Sequence, residues 1–352
     1  MGTLETKQVV DFFSTGKTIS EIAKKFEISE EDAQKLVSAK IAGYTFFPSK
    51  NEWDELIYRV VPEPIIKTVK PKIWTYDIAR GPSGRPQPYI HVTIPDNIPG
   101  KKIKLFPLGD IHFGSSGYDD DVFKAHLKLI EGKKHAFFVL IGDVTENALK
   151  DSPGTGVFTQ TVRPRKQLTE VREILRPLAH KCFLAIPGNH EYRTLKHTDL
   201  EPLRLAICDP LGIPYFSEPV HLDIFWRGNV FTFFLQHGRG GGSTKGGKLN
   251  AASRPLSVNE HTMFSIMGHV HDPNSVKNIK RCLEFERDGE KRVIDMQTVE
   301  RVEHVVICPA MYHFYGTYAS EAGYHPVAKD VSIACVLEES GKYFLDKKPL
   351  RY

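Results

Sequence analysis

The chain has little cysteine, no long apolar run and no excess of charge of either sign. Its five cysteines (Cys182, Cys208, Cys282, Cys308 and Cys335) are odd in number and widely spaced and include no CxxC pair. That pattern excludes a disulfide framework and a cysteine zinc site, and predicts reduced, mostly buried thiols. No stretch approaches the ~20 apolar residues of a membrane-spanning helix. The opening MGTLETKQVV lacks the basic and then apolar plan of a signal peptide, so a cytoplasmic protein with no membrane partner is expected. The 47 Lys and Arg against 43 Asp and Glu leave +4 over 352 residues, too little to imply nucleic acid by charge alone. Repeats and low-complexity tracts are missing as well. What is present is an ordinary globular balance, 41% hydrophobic and 26% charged, at a length that suggests about two domains or a large one with a small appendage.

Residues 6 to 40 carry helical spacing. Val9, Val10, Phe12 and Phe13 precede Gly16; Ile19, Ile22, Ala23, Phe26, Ile28, Ala33, Leu36 and Val37 follow, with a break near Glu27 to Ser29. Three short helices are predicted, with Ser20 and Ser29 as N-caps and Asp32 completing a variant capping box. The phrase Gly16-Lys17-Thr18-Ile19-Ser20-Glu21-Ile22-Ala23 resembles the first helix of the helix-turn-helix in resolvases and phage regulators, which implies a DNA-reading second helix. Against that, Glu30, Glu31 and Asp32 at its start would face phosphates. Over residues 17 to 40, five lysines (17, 24, 25, 35 and 40) meet five acids (Glu21, Glu27, Glu30, Glu31 and Asp32). A small bundle for protein contacts or homodimer formation is the other reading.

Residues 44 to 100 are proline-rich and broken by short β-branched or aromatic runs, as expected of a linker that packs as it goes, with a few edge strands. From about 101 to the end the text alternates strand and helix: KIKLFPLGD, a helix through Phe123 to Ile130, AFFVLIGD, a helix through Leu168 to Leu178, then CFLAIPGNH. βαβ units are implied. Apolar runs at 221–226, 230–236, 264–267, 304–307 and 331–337 make the second half strand-dominated, so sheet packed on sheet with flanking helices is the economical α/β plan.

Each of these strands ends in a polar type able to hold a metal: Gly109-Asp110-Ile111-His112, Gly142-Asp143, Gly188-Asn189-His190-Glu191, Gln236-His237-Gly238 and Gly268-His269-Val270-His271. Ligands collect at the carboxyl ends of strands in open α/β sheets, so five strand ends would converge on one site. Carboxylate, imidazole and amide oxygen form a mixed set suited to manganese, iron or zinc rather than calcium. Each block alone is weak, since a Gly-Asp at a strand end is usually a turn and a solitary His is usually structural.

In this order, with Asp110 to Asp143 spaced by 33 residues and then by 46, 48 and 32 to Asn189, His237 and His269, the blocks resemble the signature of the calcineurin-like metallophosphoesterases, over roughly 170 residues. The resemblance points toward their nuclease and phosphodiesterase branch, of phage or prophage type. It implies a four-layer α/β/β/α sandwich and two divalent ions, manganese first, about 3.5 to 4 Å apart. It further implies Asp110, His112 and His271 as ligands of one ion and Asn189, His237 and His269 of the other, with Asp143 bridging. His190 matches the family's unligated catalytic histidine, which stabilises charge on the phosphorus or protonates the leaving oxygen.

The second block departs from the family's GDxxDRG. This chain reads GDVTEN, so Glu146 stands where an Asp or His would hold the catalytic histidine, and no Arg-Gly follows. Glu146 is read as the partner of His190, with an exposed glutamate at a helix start as the alternative. The missing pair argues against a protein-serine phosphatase. For phosphate contact the candidates are Arg239, Lys245 and Lys248 in the glycine-rich GRGGGSTKGGK stretch, which is not a P-loop. Arg163 with Arg165 and Lys166, and Arg193 after GNHE, are further candidates.

Three functions follow. The first is a DNA-processing phosphodiesterase or nuclease. The second is a small-molecule phosphodiesterase or phosphatase whose N-terminal helices serve assembly. The third, a non-catalytic DNA-binding scaffold, is disfavoured because such relatives usually lose ligands and every ligand position is filled here.

Overall fold

The computed structural model describes residues 17–38, 44–50, 56–62, 69–152, 156–240, 244–259, 261–288, 292–313 and 331–350. The chain divides into two compact units, Met1–Thr68 and Val69–Tyr352. That division falls inside the stretch read as a packed extension.

In the first unit, helices α1 (Ile19–Phe26) and α2 (Glu30–Ser38) are separated by Glu27, which takes a left-handed φ of 54°. The cap of α1 is Thr18 and not Ser20: its hydroxyl accepts from the Glu21 amide while the Glu21 carboxylate accepts from the Thr18 amide. Ser29 caps α2 as expected, accepting from the Asp32 amide at 3.1 Å. Ile22, Ala23, Ala33 and Val37 are buried. The helix predicted before Gly16 lies outside the described residues. Strands β1 (Tyr44–Lys50) and β2 (Leu56–Pro62) form an antiparallel hairpin.

The second unit is built on two sheets. Strands β5 (Lys102–Leu108), β6 (Ala136–Ile141), β7 (Cys182–Ile186), β13 (Val331–Glu338) and β14 (Tyr343–Pro349) make one, in the order β14-β13-β5-β6-β7. The other follows the order β11-β12-β10-β9-β8-β4-β3. Its members are β3 (Thr75–Arg80), β4 (Pro86–Thr93), β8 (Val220–Trp226), β9 (Asn229–Gln236), β10 (Phe264–Met267), β11 (Asn274–Asp288) and β12 (Arg292–Ile307). Of the strands in the proline-rich stretch, β3 lies at the edge, but β4 is interior, pairing with β3 and β8.

Alternation along the strands makes the layers. Ile103, Leu105, Phe137, Val139 and Ile141 face Ile90, Leu222, Ile224, Phe233 and Ile266 between the sheets. Phe106, Leu108, Phe138 and Leu140 face the helices α3 (Asp120–Glu131) and α4 (Pro164–Leu175) and the irregular helical turns at 176–181 and 204–211. On the far side, α6 (Lys245–Ser253) packs Ala252 on Met267, Val305 and Ile307. The result is the expected helix, sheet, sheet, helix order. Helix α5 (Asn189–Thr198) begins directly after β7. Cys182, Cys208, Cys308 and Cys335 are free and buried. Among the described residues no helix is long and apolar enough to cross a membrane.

Candidate metal centre

The site forms where five strands stop. Asp110 follows β5, Asp143 follows β6, Asn189 and His190 open α5 after β7, His237 follows β9, and His269 and His271 follow β10. Asp110, His112, Asp143, His269 and His271 all have φ between 49° and 69°, a left-handed region uncommon for residues with side chains and typical of functional sites. The loops after β5 and β6 extend the pairing of their strands: the Asp110 amide donates to the Gly142 carbonyl, and the Ile111 and His112 amides to the Asp143 carbonyl. This sets Asp110 and Asp143 side by side. The neighbouring glycines are sterically required. A Cβ at Gly188 would fall 2.4 Å from the Asp143 amide nitrogen, and one at Gly142 would lie 2.5 Å from the Gly188 nitrogen.

The donors form three groups, each with its ligand atoms within 4.8 Å of one another: Asp110, His112 and His271; His112, Asp143 and His190; Asp143, His237 and His269. His112 Nε2 and His271 Nε2 face each other at 3.0 Å, and His271 Nε2 is 3.4 Å from Asp110 Oδ1. Asn189 Oδ1 lies 3.1 Å from His237 Nε2 and 2.7 Å from His269 Nδ1, while Asp143 Oδ2 is 3.2 Å from His237 Nε2. Asp110 and Asp143 are buried, and Asp110 Oδ2 has no hydrogen-bond partner. A buried carboxylate oxygen without a donor beside converging imidazole nitrogens fits divalent cations and fits little else.

The electrostatics agree. Burial opposes charge on His237, yet the carboxylates of Asp143 and Asp110 outweigh it and hold the imidazole pKa up to about 10. Burial likewise opposes ionisation of Asp143, but the surrounding histidines keep its carboxyl well below the ordinary range. The buried carboxylates thus favour positive charge at His237 and His112, whereas burial lowers the pKa of His269.

The surrounding hydrogen bonds orient the donors. His237 Nδ1 donates to the Ile141 carbonyl at 2.7 Å, which turns Nε2 toward Asp143. Glu191, the last residue of the Gly188-Asn189-His190-Glu191 block, has no role that the sequence pattern alone assigns. Its buried carboxylate accepts from the amides of Asp143, Val144, Thr145 and Gly188, tying together the two loops that present Asp143 and Asn189.

Glu146 reaches two histidines. Its carboxylate is 3.2 Å from His112 Nδ1 and 3.6 Å from His190 Nδ1. The closer partner of His190 is the Glu146 main-chain carbonyl, which accepts from Nδ1 at 2.6 Å. The side chain is therefore first of all the support of His112. It is buried and no helix begins at it, which also removes the alternative of an exposed glutamate at a helix start.

The basic candidates separate. Arg193 reaches the site, with Nη2 2.9 Å from His190 Nε2. Lys248 is drawn into a largely buried pair with Asp272, 3.2 Å away and next to His271. Its glycine-rich segment is partly helix: Thr244 caps α6, where a loop was expected. Arg163, Arg239 and Lys245 are exposed. Sequence reasoning missed Tyr312, whose ring centroid lies 5.3 Å from that of His112 and 5.7 Å from that of His271. It stands after β12 outside any of the five blocks, and only the adjacency of strand ends brings it in.

The family model of the calcineurin-like phosphoesterases matches residues 104–328. The chain belongs to that family, and it is a metal-dependent hydrolase acting on phosphoesters. No curated protein matches the sequence significantly.

Proposed function

We propose that the chain is a dinuclear phosphodiesterase that processes DNA. The observation that carries the hydrolytic part is the donor set itself, filled at every position and gathered around Asp143 Oδ2. Asp110, His112 and His271 would hold one divalent ion and Asn189, His237 and His269 the other, with Asp143 shared between them. Divalent ions held by these residues, manganese first, would supply neutralisation of the phosphoryl oxygens and acidification of a water.

The chain's own residues supply the proton transfer. His190 Nδ1 donates a hydrogen bond to the Glu146 carbonyl, which leaves Nε2, 3.8 Å from Asp143 Oδ2 and accepting from Arg193 Nη2, as the ring's acceptor. Burial pushes its pKa down to about 4, so Nε2 is an acceptor until an anion arrives to stabilise the protonated ring. A proton taken up from solvent at Nε2 is then passed to the leaving oxygen, and the ring returns to its neutral form. Glu146 keeps His112 in the tautomer whose Nε2 faces the donors.

DNA is favoured by the helix-turn-helix spacing of α1 and α2 and by the basic glycine-rich segment. One observation favours the second reading, a small-molecule diester with the helices used for assembly: Glu30, Glu31 and Asp32 are exposed on the first turn of α2. A metal-screened assay pairing bis-p-nitrophenyl phosphate with labelled single- and double-stranded DNA decides between them. Cleavage of both substrates is expected. Turnover of the chromogenic diester alone would leave the small-molecule reading, and turnover of neither with any divalent ion would overturn the hydrolytic role.

A further inference from the structure

We propose that Arg193 grips the substrate phosphate and, in doing so, releases His190 for proton transfer; this rests on the hydrolytic reading above. The second motif block offers no cation of its own. Asn147, where GDxxDRG would place its arginine, is buried, and its side-chain amide donates to the His190 carbonyl at 2.7 Å and to the Thr194 hydroxyl at 2.9 Å. It is spent on anchoring α5. A guanidinium beside the site comes instead from that helix. Arg193 stands three residues after His190, on the same helix face, and its side chain is 16% exposed.

Its hydrogen bonds are those of a group waiting for an anion. Nη2 donates to His190 Nε2 at 2.9 Å, since the ring's only proton is given at Nδ1 to the Glu146 carbonyl. Nη1 donates to that same carbonyl at 3.1 Å. Both acceptors are neutral. The guanidinium's one anionic partner among the described residues, Glu146 Oε1, forms an ion pair at 3.7 Å without a hydrogen bond, and the other oxygen of that carboxylate is held by His112 at 3.2 Å. A largely buried guanidinium with neutral acceptors exchanges them readily for a phosphate, whose charged oxygens accept more strongly and fit its planar fork.

The exchange has a consequence for His190. While Nη2 occupies Nε2, the imidazole can neither take a proton there nor give one to a leaving oxygen. When phosphate draws the guanidinium away, the hydrogen bond at Nε2 is broken and this nitrogen is freed toward the reacting centre. Binding and proton transfer are thereby coupled through one side chain, without movement of α5.

The test compares the wild-type protein with Arg193→Ala, Arg193→Gln and Arg193→Lys, all full-length and manganese-loaded. Three quantities are measured: metal content, the affinity for inorganic phosphate by calorimetry, and turnover of bis-p-nitrophenyl phosphate with and without added guanidinium chloride. Metal content should be unchanged. Phosphate affinity and kcat/KM should each fall about 10²-fold in the Ala and Gln variants, the scale of removing one donor to a phosphoryl oxygen, and Lys should restore only part because it lacks the fork. Guanidinium should raise the turnover of Arg193→Ala and not that of the wild type. Wild-type phosphate affinity in both the Ala and Gln variants would overturn the assignment, and so would loss of metal from them, which would make Arg193 a structural prop. Failure of the wild type itself to hydrolyse the diester would count against the hydrolytic reading, a separate result.

Discussion

Asp143 and His190 stand within 3.8 Å of each other, and the geometry predicts opposite consequences for their loss. Asp143 Oδ2 is shared by the donor groups on either side of it, and Oδ1 accepts from the His190 amide at 2.9 Å. Asp143→Asn should remove both tight metal binding and turnover, measured by metal analysis after gel filtration and by diester hydrolysis. A variant keeping a tenth of the wild-type rate at full metal content would refute the shared role. His190→Ala should keep its metals, because the ring's Nδ1 and Nε2 are engaged by the Glu146 carbonyl and by Arg193. Turnover of esters with poor leaving groups should fall about 10²-fold or more, with less effect on good ones. Loss of metal in that variant would instead make His190 a ligand.

Helix α3 carries a different histidine with a different fate. His126 is buried, donates from Nδ1 to the Val122 carbonyl at 2.9 Å, and its Nε2 has no hydrogen-bond partner. Burial pushes its pKa down to about 4, from about 6.5 in an unfolded chain. Between these values the unfolded chain binds the extra proton, so stability falls as pH falls through this window and is unaffected above it. At pH 5 the loss attributable to His126 is about 2 kcal/mol. Leucine keeps the volume and removes the titration. Urea midpoints at pH 7 and pH 5 should therefore drop by more in the wild type than in His126→Leu, and equal drops would show that His126 does not couple folding to pH.

The division after Thr68 leaves every candidate ligand in the unit Val69–Tyr352, together with both sheets of the sandwich. Removing residues 1–68 should leave hydrolysis of bis-p-nitrophenyl phosphate nearly unchanged. If α1 and α2 deliver DNA, the same deletion should weaken DNA binding and flatten its salt dependence by about one unit of log–log slope for each phosphate they neutralise. An unchanged slope would transfer those helices to assembly. Their charges already lean that way: Lys35 is paired with Glu31 at 2.9 Å and Lys17 with Glu21 at 3.7 Å, which leaves less charge on the surface to meet phosphates.

The seven donors and the strands that carry them were readable in the amino-acid order because both signals are local. An apolar run such as AFFVLI stops at Gly-Asp, and the glycine that permits the turn sits beside the residue that uses it. The same holds for the break at Glu27 and the cap at Ser29. What lay beyond the sequence was decided by contacts between distant residues and by the direction each side chain takes. Glu146 could have met either histidine, and only the pairing of the loops after β5 and β6 brings its carboxylate nearer to His112, 34 positions away. Lys248 and Asp272 are 24 residues apart, and their pairing depends on how α6 lies against β10 and β12. The proline-rich 75–93 stretch became sheet because β8 offered an edge more than a hundred residues later in the chain. Arg193 was one basic residue among several until the helical turn that starts at Asn189 placed it over His190, because three residues of helix return a side chain to the same face.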